Sequence, residues 1–139
     1  MLTSEECFAR YGDPHKERNM VVWNVPPELT KARIPRKIYC NKDMIIPLSK
    51  AFANIIDRDL LYGFHTFDGC FCIREKRGGK SMSLHSWGVA IDINAATNKM
   101  GKKPSLVAGL AQCFKDAGFD WGGDWKGAGI DGQHFQLKG

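Results

Sequence analysis

Residues 81–94 read Ser81-Met82-Ser83-Leu84-His85-Ser86-Trp87-Gly88-Val89-Ala90-Ile91-Asp92-Ile93-Asn94 and place His85 and Asp92 seven positions apart. On one continuous strand, an odd separation puts two side chains on opposite faces of the sheet. The two can therefore converge only if the chain bends between them, and Gly88 permits the backbone dihedrals that a bend requires. Asp92 then lies in an apolar strand, where an ionised carboxylate needs a partner such as a metal ion.

A second polar cluster, Asp131-Gly132-Gln133-His134-Phe135, lies near the end of the chain. Two imidazoles and one carboxylate leave the fourth position of a zinc ion open to water, which is the arrangement of catalytic zinc sites. The alternative is a core aspartate with satisfied hydrogen bonds and a histidine at the surface. Spacing alone favours this alternative, because the pattern His-x6-Asp is a weaker physical signal than two histidines one turn apart on a helix.

Outside these clusters, three segments predict helices. Apolar residues recur with helical spacing over residues 43–58 and 105–117. In the first segment, Pro47 requires a place in the first turn. In the second, Gly118 is placed to end the helix as a C-terminal cap. The run Thr3-Ser4-Glu5-Glu6 has the pattern of a capping box, so we predict that a short helix begins there.

The predicted strands are residues 63–67, 70–74, 89–94 and 134–137. Because they do not alternate regularly with the helices, the prediction is an α+β fold with a small, largely antiparallel sheet flanked by helices. A length of 139 residues fits one domain. We assign residues 1–37 to an N-terminal helix and a wrapping segment, because residues 20–37 are rich in proline and read as irregular.

Charge and hydropathy exclude several classes of protein. The net charge of +5 suits an anionic polymer as partner, or aids solubility alone. Residues 74–80 form the densest basic cluster, but Glu75 interrupts it and no nucleic-acid-binding signature accompanies it, so we expect no nucleic acid as partner. No apolar run approaches the roughly 18 residues of a membrane span. Residues 1–7 lack the parts of a secretory signal, so we expect a protein made in a cytoplasm without a signal peptide.

Cysteine usage agrees with a reducing compartment. The five cysteines read as reduced thiols, most of them buried in strands and helices. The pair Cys70-Phe71-Cys72 is too tight for the usual spacing of a structural zinc site.

Residues 118–132 carry six glycines and two tryptophans. A loop of this composition is mobile unless Trp121 and Trp125 fold onto the core or a substrate, so we predict a structured loop beside a cleft. Two further histidines have no clear partner in the sequence. His15 lies in a polar turn and is expected to be exposed. His65 either lines the cleft or is a structural histidine with satisfied hydrogen bonds, and the second option is favoured.

The combined pattern Ser83-x-His85-x-x-Gly88-x-Ala90-x-Asp92 and Asp131-x-x-His134-Phe135 resembles the D-Ala-D-Ala carboxypeptidase and L-alanyl-D-glutamate endopeptidase family of zinc peptidases. Many phage endolysins belong to this family, which shares its fold with lysostaphin-type peptidases and the hedgehog signalling domain. The resemblance extends over about residues 38–137 and includes Arg74 upstream of the motif. The resemblance favours a zinc site over a core aspartate and a surface histidine, and it implies that this site lies in a surface cleft.

The resemblance also implies a role for each residue that matches the pattern. The matches to the family's zinc ligands are His85, Asp92 and His134. Asp131 matches the acid/base, and Arg74 matches the arginine that assists the scissile carbonyl. Ser83 is expected to contact the substrate or a ligand, and Trp87 is expected to pack around the site.

The implied function is zinc-dependent hydrolysis of stem peptides in bacterial peptidoglycan. We expect a monomeric phage or prophage endolysin that cleaves the L-Ala–D-Glu bond and accumulates in the host cytoplasm before release. The alternatives are a D-alanyl-D-alanine carboxypeptidase and a non-catalytic wall-binding module of the same fold. A thiol enzyme that pairs a cysteine with His65 or His134 has no supporting cysteine signature.

Overall fold

The computed structural model describes residues 1–76, 79 and 81–139, and it has the predicted α+β architecture. Arg77 and Lys80 of the basic cluster lie outside the described residues. The helices are α1 (Ser4–Tyr11), α2 (Ile45–Asp57) and α3 (Leu110–Asp116). The strands are β1 (Met20–Asn24), β2 (Lys37–Asn41), β3 (Phe67–Gly69), β4 (Ala90–Ile93), β5 (Phe119–Trp121) and β6 (His134–Leu137). No helix in the described ranges is long and apolar enough to cross a membrane.

Helix α1 begins at the predicted capping box. The Thr3 hydroxyl accepts a hydrogen bond from the Glu6 backbone N–H, and the Glu6 carboxylate accepts one from the Thr3 N–H, both at 3.2 Å. These bonds satisfy two of the N–H groups that a helix start leaves without partners. The helix ends at Gly12, whose φ of 77° leaves the helical region.

Helix α2 agrees with the prediction over most of its length. Lys42–Met44 forms a short 3-10 helix instead of the first helical residues, and the Asn41 side chain caps it by accepting from the Asp43 N–H. Pro47 lies in the first turn of α2, where its missing N–H removes no intrahelical hydrogen bond. The buried face consists of Leu48, Ala51, Phe52 and Ile55. Burial of each large apolar side chain stabilises the fold by roughly 1.5–3 kcal/mol.

Helix α3 is shorter than predicted. It begins at Leu110, because Gly109 adopts φ 89° and interrupts the helical backbone. Ser105, the predicted first residue, instead donates its N–H to the Asn98 side-chain oxygen at 2.7 Å. The predicted end is confirmed, since Gly118 follows the helix with φ 108°.

The strands form two antiparallel sheets. One is the pair β1-β2, and the other has the order β3-β4-β6-β5. The prediction of an irregular segment over residues 20–37 was therefore wrong for residues 20–24 and for Lys37, the first residue of β2. Trp23 and Ile38 face each other across β1 and β2 and are both buried, so core packing stabilises this pair.

Three other strand assignments need correction. Leu61–Gly63 is a 3-10 helix, and the strand predicted over 63–67 begins only at Phe67. Residues 70–74 are not a strand, because their backbone bonds go to the following motif: the Cys72 N–H donates to the His85 carbonyl. Strand β5 was not predicted, since its three residues lie at the start of a glycine-rich segment.

Candidate metal centre

The central pair of strands positions two of the predicted ligands. Asp92 on β4 lies directly opposite His134 on β6 in the antiparallel register, so their side chains share one face of the sheet. The alternate residues of the same strands face the apolar core and are fully or nearly fully buried: Ile91, Ile93, Phe135 and Leu137. Strand periodicity thus separates the polar site from the core.

The bend predicted between His85 and Asp92 is present. Leu84–Trp87 forms a 3-10 helix that ends at Gly88, which adopts the left-handed conformation with φ 65°. A Cβ atom at Gly88 would lie 2.6 Å from the Met20 side chain and 2.8 Å from the Asn41 backbone nitrogen. The position therefore requires glycine for both conformation and space. This turn places His85 beside Asp92, although the two are an odd number of residues apart.

The three side chains converge on one point. His85 Nε2 lies 3.2 Å from Asp92 Oδ2, and His134 Nδ1 lies 3.5 Å from Asp92 Oδ1. One ligand atom from each residue can be chosen so that all three lie within 4.8 Å of one another. The two imidazole rings meet edge to face, with centroids 5.1 Å apart.

The hydrogen bonding around these residues fits a metal ion. The Cys70 carbonyl lies 2.7 Å from His85 Nδ1 and can only accept, so Nδ1 carries the proton and Nε2 presents its lone pair to the cluster. His85 Nε2 and Asp92 Oδ1 are buried and make no hydrogen bond within the described part of the chain. Buried polar atoms of this kind need a partner, and a zinc ion held by two histidines and one aspartate supplies one.

Asp92 is suited to bind a cation. Burial raises the pKa of its carboxyl group, but hydrogen bonds and positive charge from His134 and His85 in their protonated, metal-free form outweigh burial and hold the pKa well below its usual range. The residue is therefore a carboxylate at neutral pH, which is the form that ligates metal ions.

The cluster opens into a cavity of about 300 Å³, the cleft that the sequence predicts. Asp92, His134, Arg74, Ser83 and Asp131 all line this cavity. The structure thus brings the predicted acid/base and the predicted arginine to the same cavity as two of the ligands. Further lining residues that the sequence did not single out are Met1, Leu2, Leu84, Met100, Gln133 and Gln136.

Arg74 is held at the cavity through its backbone. Its N–H donates to Ser86 Oγ at 3.1 Å, and its carbonyl accepts from the Ser83 N–H at 2.8 Å. Ser83 also caps the 3-10 helix, since its hydroxyl accepts from the His85 N–H at 3.3 Å. Arg74 and Ser83 are therefore tied to the segment that carries His85.

The glycine-rich segment is structured and lies beside the cleft, as predicted. Trp121 stacks on Phe135 of the core, and its indole N–H donates to the Gly132 carbonyl at 2.8 Å. Trp125 lines the cavity, with its ring centroid 5.4 Å from that of His134. The Asp131 N–H donates to the Gly122 carbonyl at 2.9 Å, which anchors Asp131 at the cavity.

The remaining predicted residues lie elsewhere. Trp87 is buried against α1, where its indole N–H donates to the Gly12 carbonyl and its ring meets Phe8 edge to face. It does not line the cavity. His15 and His65 are both exposed, and neither lines the cavity.

Gln136 is a site residue that the sequence reasoning missed. Its side-chain oxygen lies 2.9 Å from His134 Nε2. Strand periodicity could have identified it, because residues two positions apart on a strand share a face of the sheet. If His134 is a ligand, the side chain of Gln136 is therefore its neighbour on that face.

Comparison with known proteins adds one finding. Residues 77–137 match the sequence model of a family described as D-alanyl-D-alanine carboxypeptidase. The matched region covers less than half of the chain and contains the three candidate ligands and Asp131. No curated protein and no solved structure gives a significant match. The family match supports a zinc peptidase that acts on peptidoglycan.

Proposed function

We propose that this protein is a zinc peptidase of phage or prophage origin that cleaves the L-Ala–D-Glu bond in peptidoglycan stem peptides. The observation that carries the proposal is the shared cavity. It joins the His85, Asp92 and His134 cluster to one further carboxylate and one arginine. A metal-ligand cluster with both groups beside it meets the needs of peptide hydrolysis.

The ligands in this proposal are His85 through Nε2, Asp92 through its carboxylate and His134. Zinc held there supplies Lewis acidity toward the peptide carbonyl and toward an attacking water. A set of three protein ligands, rather than four, is the donor set typical of catalytic zinc sites.

Asp131 and Arg74 supply the two other catalytic groups in this proposal. The Asp131 carboxylate accepts a proton as the water oxygen bonds to the carbonyl carbon, and it delivers that proton to the leaving amine as the C–N bond breaks. The Arg74 guanidinium stabilises the negative charge that develops on the carbonyl oxygen. Loss of one such donor in other enzymes costs about 3–4 kcal/mol.

A D-alanyl-D-alanine carboxypeptidase is the second candidate, and the description of the matching family favours it. Arg74 and Lys76 both line the cavity, so two cations are available to hold the free carboxylate of a terminal D-alanine. The two activities differ in the bond that is cleaved, so one product analysis separates them.

The test is digestion of purified peptidoglycan, with mass spectrometry of the released fragments. Fragments with a new N-terminal D-Glu support the endopeptidase, whereas free D-alanine supports the carboxypeptidase. Asp131→Asn gives the background rate. His65→Ala serves as a matched control, because it removes an exposed histidine that does not line the cavity and should retain zinc and activity. If zinc-loaded protein releases neither product but sediments with peptidoglycan, the protein is a wall-binding module and the proposal fails.

A further inference from the structure

Gln136 is buried, with 5% of its surface exposed, and both ends of its side-chain amide have partners. One end lies 3.5 Å from the Leu2 carbonyl, and the other lies 2.9 Å from His134 Nε2. A carbonyl oxygen can only accept, so the end that faces Leu2 must be the NH₂ group. The amide oxygen therefore faces the ring of His134.

This orientation determines the tautomer of His134. An amide oxygen can only accept, so His134 Nε2 must carry the proton when the imidazole is neutral. The lone pair is then on Nδ1, the atom that lies 3.5 Å from Asp92. We propose that Gln136 is a positioning residue that holds His134 as the Nε2–H tautomer and directs Nδ1 to the metal.

The two histidines then use opposite ring nitrogens. His85 is held by the Cys70 backbone carbonyl on Nδ1 and presents Nε2. His134 is held by a side chain on Nε2 and presents Nδ1. A backbone carbonyl cannot be removed by substitution, whereas a glutamine side chain can. Only the orientation of the His134 ring can therefore be tested directly by mutation. Partners of this kind fix ring orientation, and their loss commonly costs roughly 10- to 100-fold in metal affinity.

The sheet accounts for the placement of Gln136. On β6 it lies two residues after His134 and therefore on the same face. Its cross-strand partner on β4 is Ala90, whose small side chain leaves space on that face of the sheet. The Leu2 carbonyl comes from the segment before α1, so the N-terminal segment supports the metal site through Gln136.

The inference rests on the proposed zinc site, and two variants at position 136 test it. Gln136→Met keeps the length but removes the acceptor, so zinc affinity should fall roughly 10- to 100-fold. Gln136→Glu keeps an acceptor for the ring and should retain or exceed the wild-type affinity. Gln112→Met is the control, because the Gln112 amide donates to the Asp116 carboxylate on α3, outside the cavity lining, and should not affect zinc affinity. Affinity is measured by competition with a chromophoric chelator, after urea unfolding of the chelated proteins confirms that each variant folds.

A second measurement does not depend on any variant. Long-range ¹⁵N–¹H spectra of the chelated wild-type protein at alkaline pH should show His134 as the Nε2–H tautomer and His85 as the Nδ1–H tautomer. An Nδ1–H tautomer at His134, or unchanged zinc affinity in Gln136→Met, overturns the inference. If the wild-type protein binds no zinc while His134 remains Nε2–H, the proposed function fails and the role of Gln136 in orienting the ring stands.

Discussion

Asp131 and His134 are three residues apart, yet their surroundings indicate different roles. His134 lies opposite Asp92 in the register of the sheet and within 3.5 Å of its carboxylate. Asp131 precedes the strand, lines the cavity and is anchored by its backbone to Gly122. The first position therefore suits a ligand, and the second suits a group that exchanges protons with the substrate.

The first prediction separates these two roles by substitution. Asp131→Asn removes the base but keeps the size of the side chain, so it should bind zinc normally and lose roughly 10²- to 10⁴-fold in rate. His134→Ala should lose zinc affinity together with activity, because two ligands hold the ion poorly. Zinc should also raise the melting temperature of the wild type more than that of His134→Ala. Zinc content, melting temperature and kcat are the measurements, and full activity of Asp131→Asn would place the base elsewhere.

The second prediction concerns the cysteines, all of which are free thiols in the structure. Burial raises the pKa of Cys7 and of Cys40 to about 11, so both stay protonated and unreactive at neutral pH. Cys72 alone among the five is exposed. A chromogenic disulfide reagent should therefore modify one thiol rapidly in the native protein and five after denaturation. Cys72→Ser should abolish the rapid phase, and a Cys70–Cys72 disulfide in the purified protein would contradict this prediction.

At the level of the elements, the bend at Gly88 joins the 3-10 helix of His85 to β4. Both its dihedral angle and its contacts argue for glycine: φ is 65°, and Met20 and Asn41 occupy the space of a Cβ atom. The site therefore depends on one short turn that sets where His85 lies relative to Asp92.

The third prediction compares Gly88→Ala with Gly127→Ala. Gly127 has nearly the same φ, 64°, but a Cβ built there meets no atom within 4 Å beyond its chain neighbours. Gly127→Ala should lose only the roughly 1–2 kcal/mol of a left-handed alanine. Gly88→Ala should lose more stability, and its zinc affinity should fall because His85 shifts. Urea unfolding measures the loss of stability, and chelator competition measures the loss of zinc affinity. Equal losses in both variants would show that the close packing around Gly88 does not contribute to stability.

At the scale of the whole molecule, Asp92 couples the charge of the site to the stability of the fold. Its pKa is lower in the folded protein than the value of 3.8 expected for a free side chain. The unfolded chain therefore binds more protons than the folded one as the solution becomes acidic. The stabilisation from Asp92 is present above the unfolded pKa and is lost as pH falls through the folded pKa.

The fourth prediction follows from this linkage and is made for chelated protein, so that metal binding does not contribute. The difference in unfolding free energy between the wild type and Asp92→Asn should be largest near neutral pH and should shrink as pH falls below 3.8. Glu28→Gln, at an exposed position, is the control and should show no such trend. Urea unfolding over a series of pH values is the measurement. A difference that grows toward acid pH would mean that Asp92 is destabilising as a carboxylate.

Much of this molecule could be predicted from local sequence. The capping box at Thr3, the position of Pro47 in α2 and the end of α3 at Gly118 depend on neighbouring residues, and all three are present. The bend at Gly88 also follows from local sequence. Residues an odd number of positions apart on one strand point to opposite faces, so His85 and Asp92 cannot converge without a bend. The pattern of ligand types was likewise visible in the sequence.

Other features depend on contacts between distant segments, and only the tertiary structure decided them. Residues 70–74 read as a strand, but their backbone groups bond to the His85 segment instead. Strand β1 is stabilised by its pairing with β2, more than ten residues away along the chain. The side-chain amide of Gln136 is oriented by a hydrogen bond to the carbonyl of Leu2, at the other end of the chain. The physical reason is common to all three: each depends on a hydrogen-bond partner in a distant segment, which no local pattern in the sequence identifies.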